Sequence, residues 1–491
     1  MKINIFSILL AAGTLLATSC SGFLDEEPTN AANAETAIQA PSDARVVING
    51  IMSEMASSSY YGRNFILYGE AKGGDLTICQ AGRGGDALYT FNHTPTTNSY
   101  SSMWTQMYNI IMQANNLLEN IDRLQNKGEE GYDYYKGEAL TIRAMVYFDL
   151  VRLYGLPYNY NRSSYGVPNI TTTLEAKAQP GRATVEENYK QIMSDLEEAE
   201  PLLATDKSQH NGYIGYYANL AEQARVRLYM EDYDEALKDA QEIINSGAFE
   251  LYSNANWTKS WTTQFGSESI FELYIDVNND LGESSLGYYL MRYHQVSNAQ
   301  GNFLASDYYL KRLGEDKTDV RWGIMGEDEV STTEAPRYGA NYKYLGSTTL
   351  AGDGKDSYTA VDIKVIRLSE IYLIAAEAAL HATQPDKALA AEYLNTIRKR
   401  APKLAPATAE TISDDMILDE RSKELFCEGQ RFFDMIRKNR TIEFNDDMQG
   451  VPVSSRSKTI DRTFGKIVLP ISQDEINANP TLASEQNKAY K

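Results

Sequence analysis

The sequence predicts a mainly α protein, a scaffold of helical hairpins wrapped by an irregular, loop-rich region that contains small β elements. Segment 367–400 carries apolar residues at Leu368, Tyr372, Ala375, Ala376, Ala379 and Leu380, then at Leu389, Tyr393, Leu394 and Ile397. That is the three-or-four spacing of one-sided helices, and Thr383-Gln384-Pro385-Asp386 supplies the turn between them. Segment 217–247 repeats the design with its small residues at the same interval, Ala224 to Ala236 matching Ala376 to Ala388. By contrast, 278–360 is rich in Gly, Tyr, Ser and Asp without sustained periodicity, which inside a helical chain reads as a functional insertion.

The alanines let paired backbones approach closely, and the arrangement resembles the tetratricopeptide repeat, with its period of ~34 residues. An ordinary bundle with alanine-rich interfaces is the competing reading.

In chain order, Met1-Lys2 and the apolar run 3–16 have the form of a signal peptide, too short to span a membrane. Leu16-Ala17-Thr18-Ser19-Cys20 resembles a bacterial lipobox. The expectation is that 1–19 is removed, Cys20 is acylated and held in outer-membrane lipid, 20–42 is a tether, and 43–491 is one body. A helix near 43–57 leads into loop 58–102, with turn clusters at Gly73-Gly74-Asp75 and 82–86. Apolar spacing predicts helices over 103–121 and 139–153. Thr184 with Glu187, and Asp232 with Glu235, have the pattern of capping boxes. Residues 249–251, 270–275 and 466–469 read as short strands, 414–437 as one charged helix and 473–477 as a short one. The helical scaffold then covers about 103–247 and 366–440, and the ligand region about 58–102 and 278–360.

A net charge of −21 excludes nucleic acid as a partner, because phosphate binding needs clustered Lys and Arg. Besides Cys20, only Cys79 and Cys427 are present, without the spacing of a metal site, and they read as buried thiols. The four histidines, His93, His210, His294 and His381, are scattered, and Gly82, Gly84 and Gly85 do not join a strand to a helix. Neither a cofactor nor a catalytic centre is expected. Glu420, Glu424 and Glu428 share one helical stripe, whereas a glycosidase needs carboxyls facing each other across a sugar.

The 34 tyrosines concentrate outside the helices. Sugar rings present C–H faces that stack on aromatics and polar rims that hydrogen-bond to Asp, Asn and Arg, so a Tyr- and Asp-rich loop surface suits an oligosaccharide. The candidate ligand residues are Asp75, Tyr89 and Phe91 in the first loop, Tyr288, Tyr289 and Tyr293 in the insertion, and Arg337 and Tyr338 beyond it. Trp104, Trp257 and Trp261 read as structural, and Trp322 is open.

One family gathers the motifs. Cys20-Ser21-Gly22-Phe23-Leu24-Asp25, Trp104 with Tyr108, Arg143-Ala144, Asp319-Val320-Arg321, Arg367-Leu368-Ser369-Glu370, Glu420-Arg421 with Glu424, Glu428-Gly429, Arg431 and Asp434, and Leu469-Pro470-Ile471 resemble the SusD/RagB family of Bacteroidetes lipoproteins. Ser472 stands where that family usually has proline. The resemblance implies a surface-exposed nutrient-binding protein, not an enzyme, that caps a TonB-dependent transporter of the SusC type. It also implies a tetratricopeptide-like side facing the transporter and a ligand, oligosaccharide or peptide, on the irregular side.

Overall fold

The structure, a computed structural model, describes residues 38–97, 100–175, 177–209, 212–292, 299–346, 359–448 and 453–491. Eleven of its helices carry the argument: α1 Pro41–Met55, α2 Asn64–Ala71, α3 Ser101–Gln125, α4 Asp133–Tyr154, α5 Val185–Leu203, α6 Tyr216–Met230, α7 Tyr233–Asn245, α8 Leu368–His381, α9 Lys387–Arg398, α10 Asp414–Glu424 and α11 Arg431–Arg437.

Helices α3 to α9 stack in order, each packed on the next. The two hairpins recognised in the sequence, α6–α7 and α8–α9, are therefore neighbours, with α7 lying against α8 although 122 residues separate them. The apolar stripes account for the stack, since Met103, Met107, Ile110, Leu117 and Ile121 of α3 all lie in the core shared with α4. Small residues do the close packing, as expected: Ala224, Ala236, Ala376 and Ala379 are buried. The expected repeat register fails at Ala388, which is exposed, while Ala390 and Ala391 make the contact with α8. Thr184 and Glu187 form their capping box, the Glu187 amide donating to Thr184 Oγ1 at 3.2 Å and the Thr184 amide to Glu187 Oε2 at 2.7 Å. Asp232 makes no side-chain cap, and Glu235 accepts from Lys238 instead.

The long excursion between α7 and α8 leaves and returns on one antiparallel ribbon, β2 (Ser269–Leu273) against β6 (Ile363–Arg367). A second ribbon, β1 (Leu76–Ile78) against β3 (Phe303–Ala305), ties this excursion to the first loop. Met325–Gly326 (β4) pairs with Ala340–Asn341 (β5), and Ile442–Glu443 (β7) with Thr459–Ile460 (β8). Of the expected strands, 270–275 is largely β2, whereas 249–251 joins no ladder and 466–468 are turn and bend; Leu469 donates to Leu153 O at 2.8 Å.

The expected helix over 414–437 is two, α10 and α11. Cys427 and Gly429 between them have φ of +62° and +83°. The break lets Gly69 of α2 lie against Gly429, where a Cβ on Gly69 would fall 2.1 Å from the Gly429 carbonyl oxygen. The Glu70 carboxylate then accepts from the amides of Gly429 and Gln430, at 2.8 and 3.1 Å.

Around that break sits a buried lattice of ion pairs. Arg367 meets Glu268, Glu424 and Glu428 at 2.9, 3.2 and 2.7 Å, and Arg321 meets Asp319 and Glu420, both at 2.7 Å. Arg437 binds Glu377 at 2.6 Å, Arg421 binds Asp434 at 2.7 Å, and Arg225 of α6 reaches Glu370 of α8 at 2.6 Å. Burial would raise the Glu377 carboxyl, but the Arg437 guanidinium beside it holds it at about 2. Cys79 and Cys427 are buried free thiols.

Candidate functional site

The outer end of the β1–β3 ribbon is where separate loops converge. Beyond Ile78, the Cys79 amide donates to Asn302 O at 2.9 Å, and the chain turns through Gly82, Gly84 and Gly85, all with positive φ. Gly84, at φ +100°, lies against the second loop: a Cβ there would meet Gln300 Nε2 at 3.4 Å and the Tyr289 ring at 3.5 Å. Asp86 closes the turn by accepting from the Gly82 amide, and Asn302 donates to Gly84 O.

On the insertion side, Ser285 caps the short helix Leu286–Leu290 by accepting from the Tyr288 amide at 3.2 Å. The Tyr288 carbonyl then accepts from Gln300 at 2.7 Å, which pins the two halves of the insertion together. Tyr288 and Tyr289, both half-buried, meet edge to face at 5.5 Å, and the Arg63 guanidinium lies 5.2 Å over the Tyr289 ring. Arg292 and the exposed Glu327 pair at 3.1 Å on the same side. The result is an aromatic platform with guanidinium, amide and carboxylate groups at its edge, the donor and acceptor mix that a sugar ring needs.

The structure separates the other expected residues from this platform. Asp75 is 1% exposed: its carboxylate meets Arg312 at 3.1 Å and Arg431 at 3.3 Å and accepts from Ser422. Burial acts to raise its pKa, but the two guanidiniums hold it below the usual carboxylate range. Tyr89 is also buried, its hydroxyl donating to Asp446 at 2.8 Å, with Arg456 stacked 4.8 Å from its ring. Phe91 is 0% exposed, edge-on to Phe432, Phe444 and Phe464. These three are corrections with one cause. A long loop must fold over a core of its own, and the residues nearest β1 supply it. Arg337 is corrected too, since its guanidinium is taken up by Asp328, Asp307 and the Ala305 carbonyl and clamps its own loop. Tyr338 is 46% exposed at the far end of β3 from Tyr289. Tyr293 and Cys20 lie outside the described residues.

Glu420 and Glu424 are fully buried among Arg321, Arg367 and Arg400, which makes the acidic stripe structural. Trp104, Trp257 and Trp261 are buried, as expected, and Trp322 packs against the core. Among the described residues there is no group of three metal-ligating side chains and no helix long and apolar enough to cross a membrane. Next to Phe91, Lys72 is wholly buried. Its side-chain nitrogen lies 4.1 Å from the Phe91 ring and 4.4 Å from Tyr68, with no hydrogen-bond partner among the described residues. Burial holds this amine well below the usual lysine range.

The sequence reading missed a cleft of about 440 Å³ on another part of the surface, between the 156–165 turn, the 462–468 turn and the C-terminal residues. Tyr160 and Tyr165 flank it, 41% and 46% exposed. Segments distant in sequence build it, and the one motif among them, Gln486-Asn487, reads in the sequence only as part of the family pattern.

Comparison with known proteins follows the same lines. Residues 22–228 match a family described as starch-binding and associating with the outer membrane, and residues 251–490 match the SusD family. A SusD superfamily protein from Bacteroides thetaiotaomicron is 32% identical and superposes with a TM-score of 0.81 over 90% of this chain and 99% of its own. A protein from Bacteroides vulgatus described as a putative sugar binding protein is also 32% identical, with a TM-score of 0.82 over 93% and 100%. SusD-like protein P38 of Formosa agariphila is 26% identical, aligned over 99% of this chain and 98% of its own. The starch-binding protein SusD of Bacteroides thetaiotaomicron is 26% identical over 37% of this chain and 32% of its own. A helical stack of this topology with a loop-built face defines the class, and the chain belongs to the SusD family.

Proposed function

We propose that this chain is a non-enzymatic surface lipoprotein, anchored in the outer membrane through Cys20, that binds an oligosaccharide on the Tyr288–Tyr289 platform and passes it to a SusC-like TonB-dependent transporter. The observation that carries the ligand reading is the convergence of the 79–86 turn, Tyr289 and Gln300 into one rigid aromatic surface. Two relatives are described by a starch- or sugar-binding role, which supports the same class of ligand. Stacking on tyrosine tolerates different monomers and gains affinity by summing over rings, whereas a peptide site is built from backbone pairing.

Calorimetry of the acyl-free protein against a glycan panel tests the reading. Binding of a glycan that weakens about fivefold in Tyr289→Ala is expected, the loss of one stacked ring being worth ~1 kcal/mol. Tight binding of peptides with no response to any glycan would overturn it, and turnover of a glycan by pure protein would overturn the non-enzymatic reading. Loss of membrane attachment in Cys20→Ala tests the anchor, and recovery of a large barrel protein after mild detergent extraction tests the partnership.

A further inference from the structure

The cleft between Tyr160 and Tyr165 has a composition opposite to that of the chain. The protein carries 67 acidic against 46 basic residues, yet the cleft is lined by Arg462, Lys488 and Lys491 and by no Asp or Glu side chain. Arg462 is half-buried, has no carboxylate within 4 Å among the described residues, and lies 4.8 Å from the Tyr160 ring. Lys488 is exposed and likewise unpaired among the described residues. Buried arginines here are fully engaged, Arg321 and Arg367 by carboxylates and Arg182 by backbone carbonyls, whereas Arg462, half-buried against an aromatic face, is positioned to take an anion.

The walls are fixed in advance. Arg182, itself buried, stacks 5.6 Å from the Tyr165 ring and donates to the Gly166 carbonyl at 2.7 Å and the Tyr154 carbonyl at 2.8 Å. Asn487 donates to Tyr154 O at 3.1 Å and Leu469 O at 2.7 Å, which locks the C-terminal wall to the end of α4. Phe464 and Val468 supply an apolar floor, and the volume falls in the ~300–1,000 Å³ range of small-ligand pockets. A preorganised aromatic pair saves the ordering entropy that a mobile loop would spend on binding.

We propose that this cleft is a second ligand site, distinct from the Tyr289 platform, that takes a pyranose bearing a carboxylate or sulfate. The ring stacks on Tyr165 or Tyr160, and the anionic group sits on Arg462 with Lys488 beside it. The choice of a saccharide rests on the function proposed above; the charge preference rests on the cleft alone.

The test titrates the acyl-free protein with trigalacturonate and with maltotriose, at low and high salt, in wild type, Arg462→Gln, Lys488→Gln, Tyr165→Ala and Tyr289→Ala. Trigalacturonate is expected to bind wild type and to weaken about tenfold in Arg462→Gln, as loss of one charge-assisted hydrogen bond implies. Its binding should also weaken with salt and be unchanged in Tyr289→Ala. Lys488 is exposed, so its variant reports on the cleft even where another fails to fold. Trigalacturonate binding that survives both charge variants, or that is lost in Tyr289→Ala, would overturn the second site. Maltotriose bound at the platform with no trigalacturonate response would overturn it too, while leaving the platform reading standing.

Discussion

The helical stack and the loop face use the same residue types for opposite ends. In the stack, arginine is driven below the surface and paired: Arg225 of α6 meets Glu222 and, on α8, Glu370, and Arg143 of α4 meets Asp195 of α5. On the loop face and in the cleft, Arg63 and Arg462 lie against tyrosine rings with no carboxylate within 4 Å among the described residues. Charged motifs in this chain therefore mark architecture, and the proposed ligand surfaces lie where such motifs are sparse. Acid and base that must hold helices together are fixed in spacing by those helices, whereas residues that meet a ligand are free to vary with it.

The sharpest way to break that contrast is Arg367→Met in the buried lattice, which removes the cation shared by Glu268, Glu424 and Glu428 and leaves them only Arg400, Arg321 and Lys343. A stability loss of ~3–5 kcal/mol in urea unfolding is expected. A loss under about 1 kcal/mol would mean the lattice is incidental. Asp75→Ala should come next, costing ~2–3 kcal/mol because Arg312 and Arg431 keep other partners, Asp419 and the Leu418 carbonyl. Glycan affinity of the folded variant should match wild type, and a fall in affinity would return Asp75 to the site.

Lys72→Met should move stability the other way. Burial lowers the pKa of this amine in the folded state, whereas in the unfolded chain it keeps its ordinary ~10.4 and is charged at neutral pH. Wild type therefore carries a penalty at pH 7 that fades as pH rises toward that value. The variant is expected to be about 2 kcal/mol more stable at pH 7, with the gain shrinking by pH 10. A variant less stable than wild type at both would show that the aromatic cage stabilises an ammonium. Tyr289→Ala completes the series: its melting midpoint should barely move while glycan affinity falls, the reverse of Asp75→Ala.

The stack was readable because period and small-residue spacing are local properties, and α3 to α9 follow them closely. The helix break at Cys427 was not, since the contact that requires it, Gly69 on Gly429, joins residues 360 apart. For the same reason the first-loop candidates divided wrongly. Asp75, Tyr89 and Phe91 look from sequence like any polar-aromatic loop, and only the chain returning as Arg431, Phe432 and Phe444 covers them. Tyr288, Tyr289 and Tyr338 stay at least partly exposed because no later segment buries them.

The link between Asp75 and Ser422 spans 347 positions, and Glu70 meets Gly429 across a similar gap. At ~5–20 residues per second of synthesis, the first of these groups waits tens of seconds for its partner. The two family matches, ending at 228 and starting at 251, invite the chain to be cut there, yet Arg225 on one side needs Glu370 on the other. Those contacts of the early half can therefore form only once synthesis has nearly reached the end of the chain.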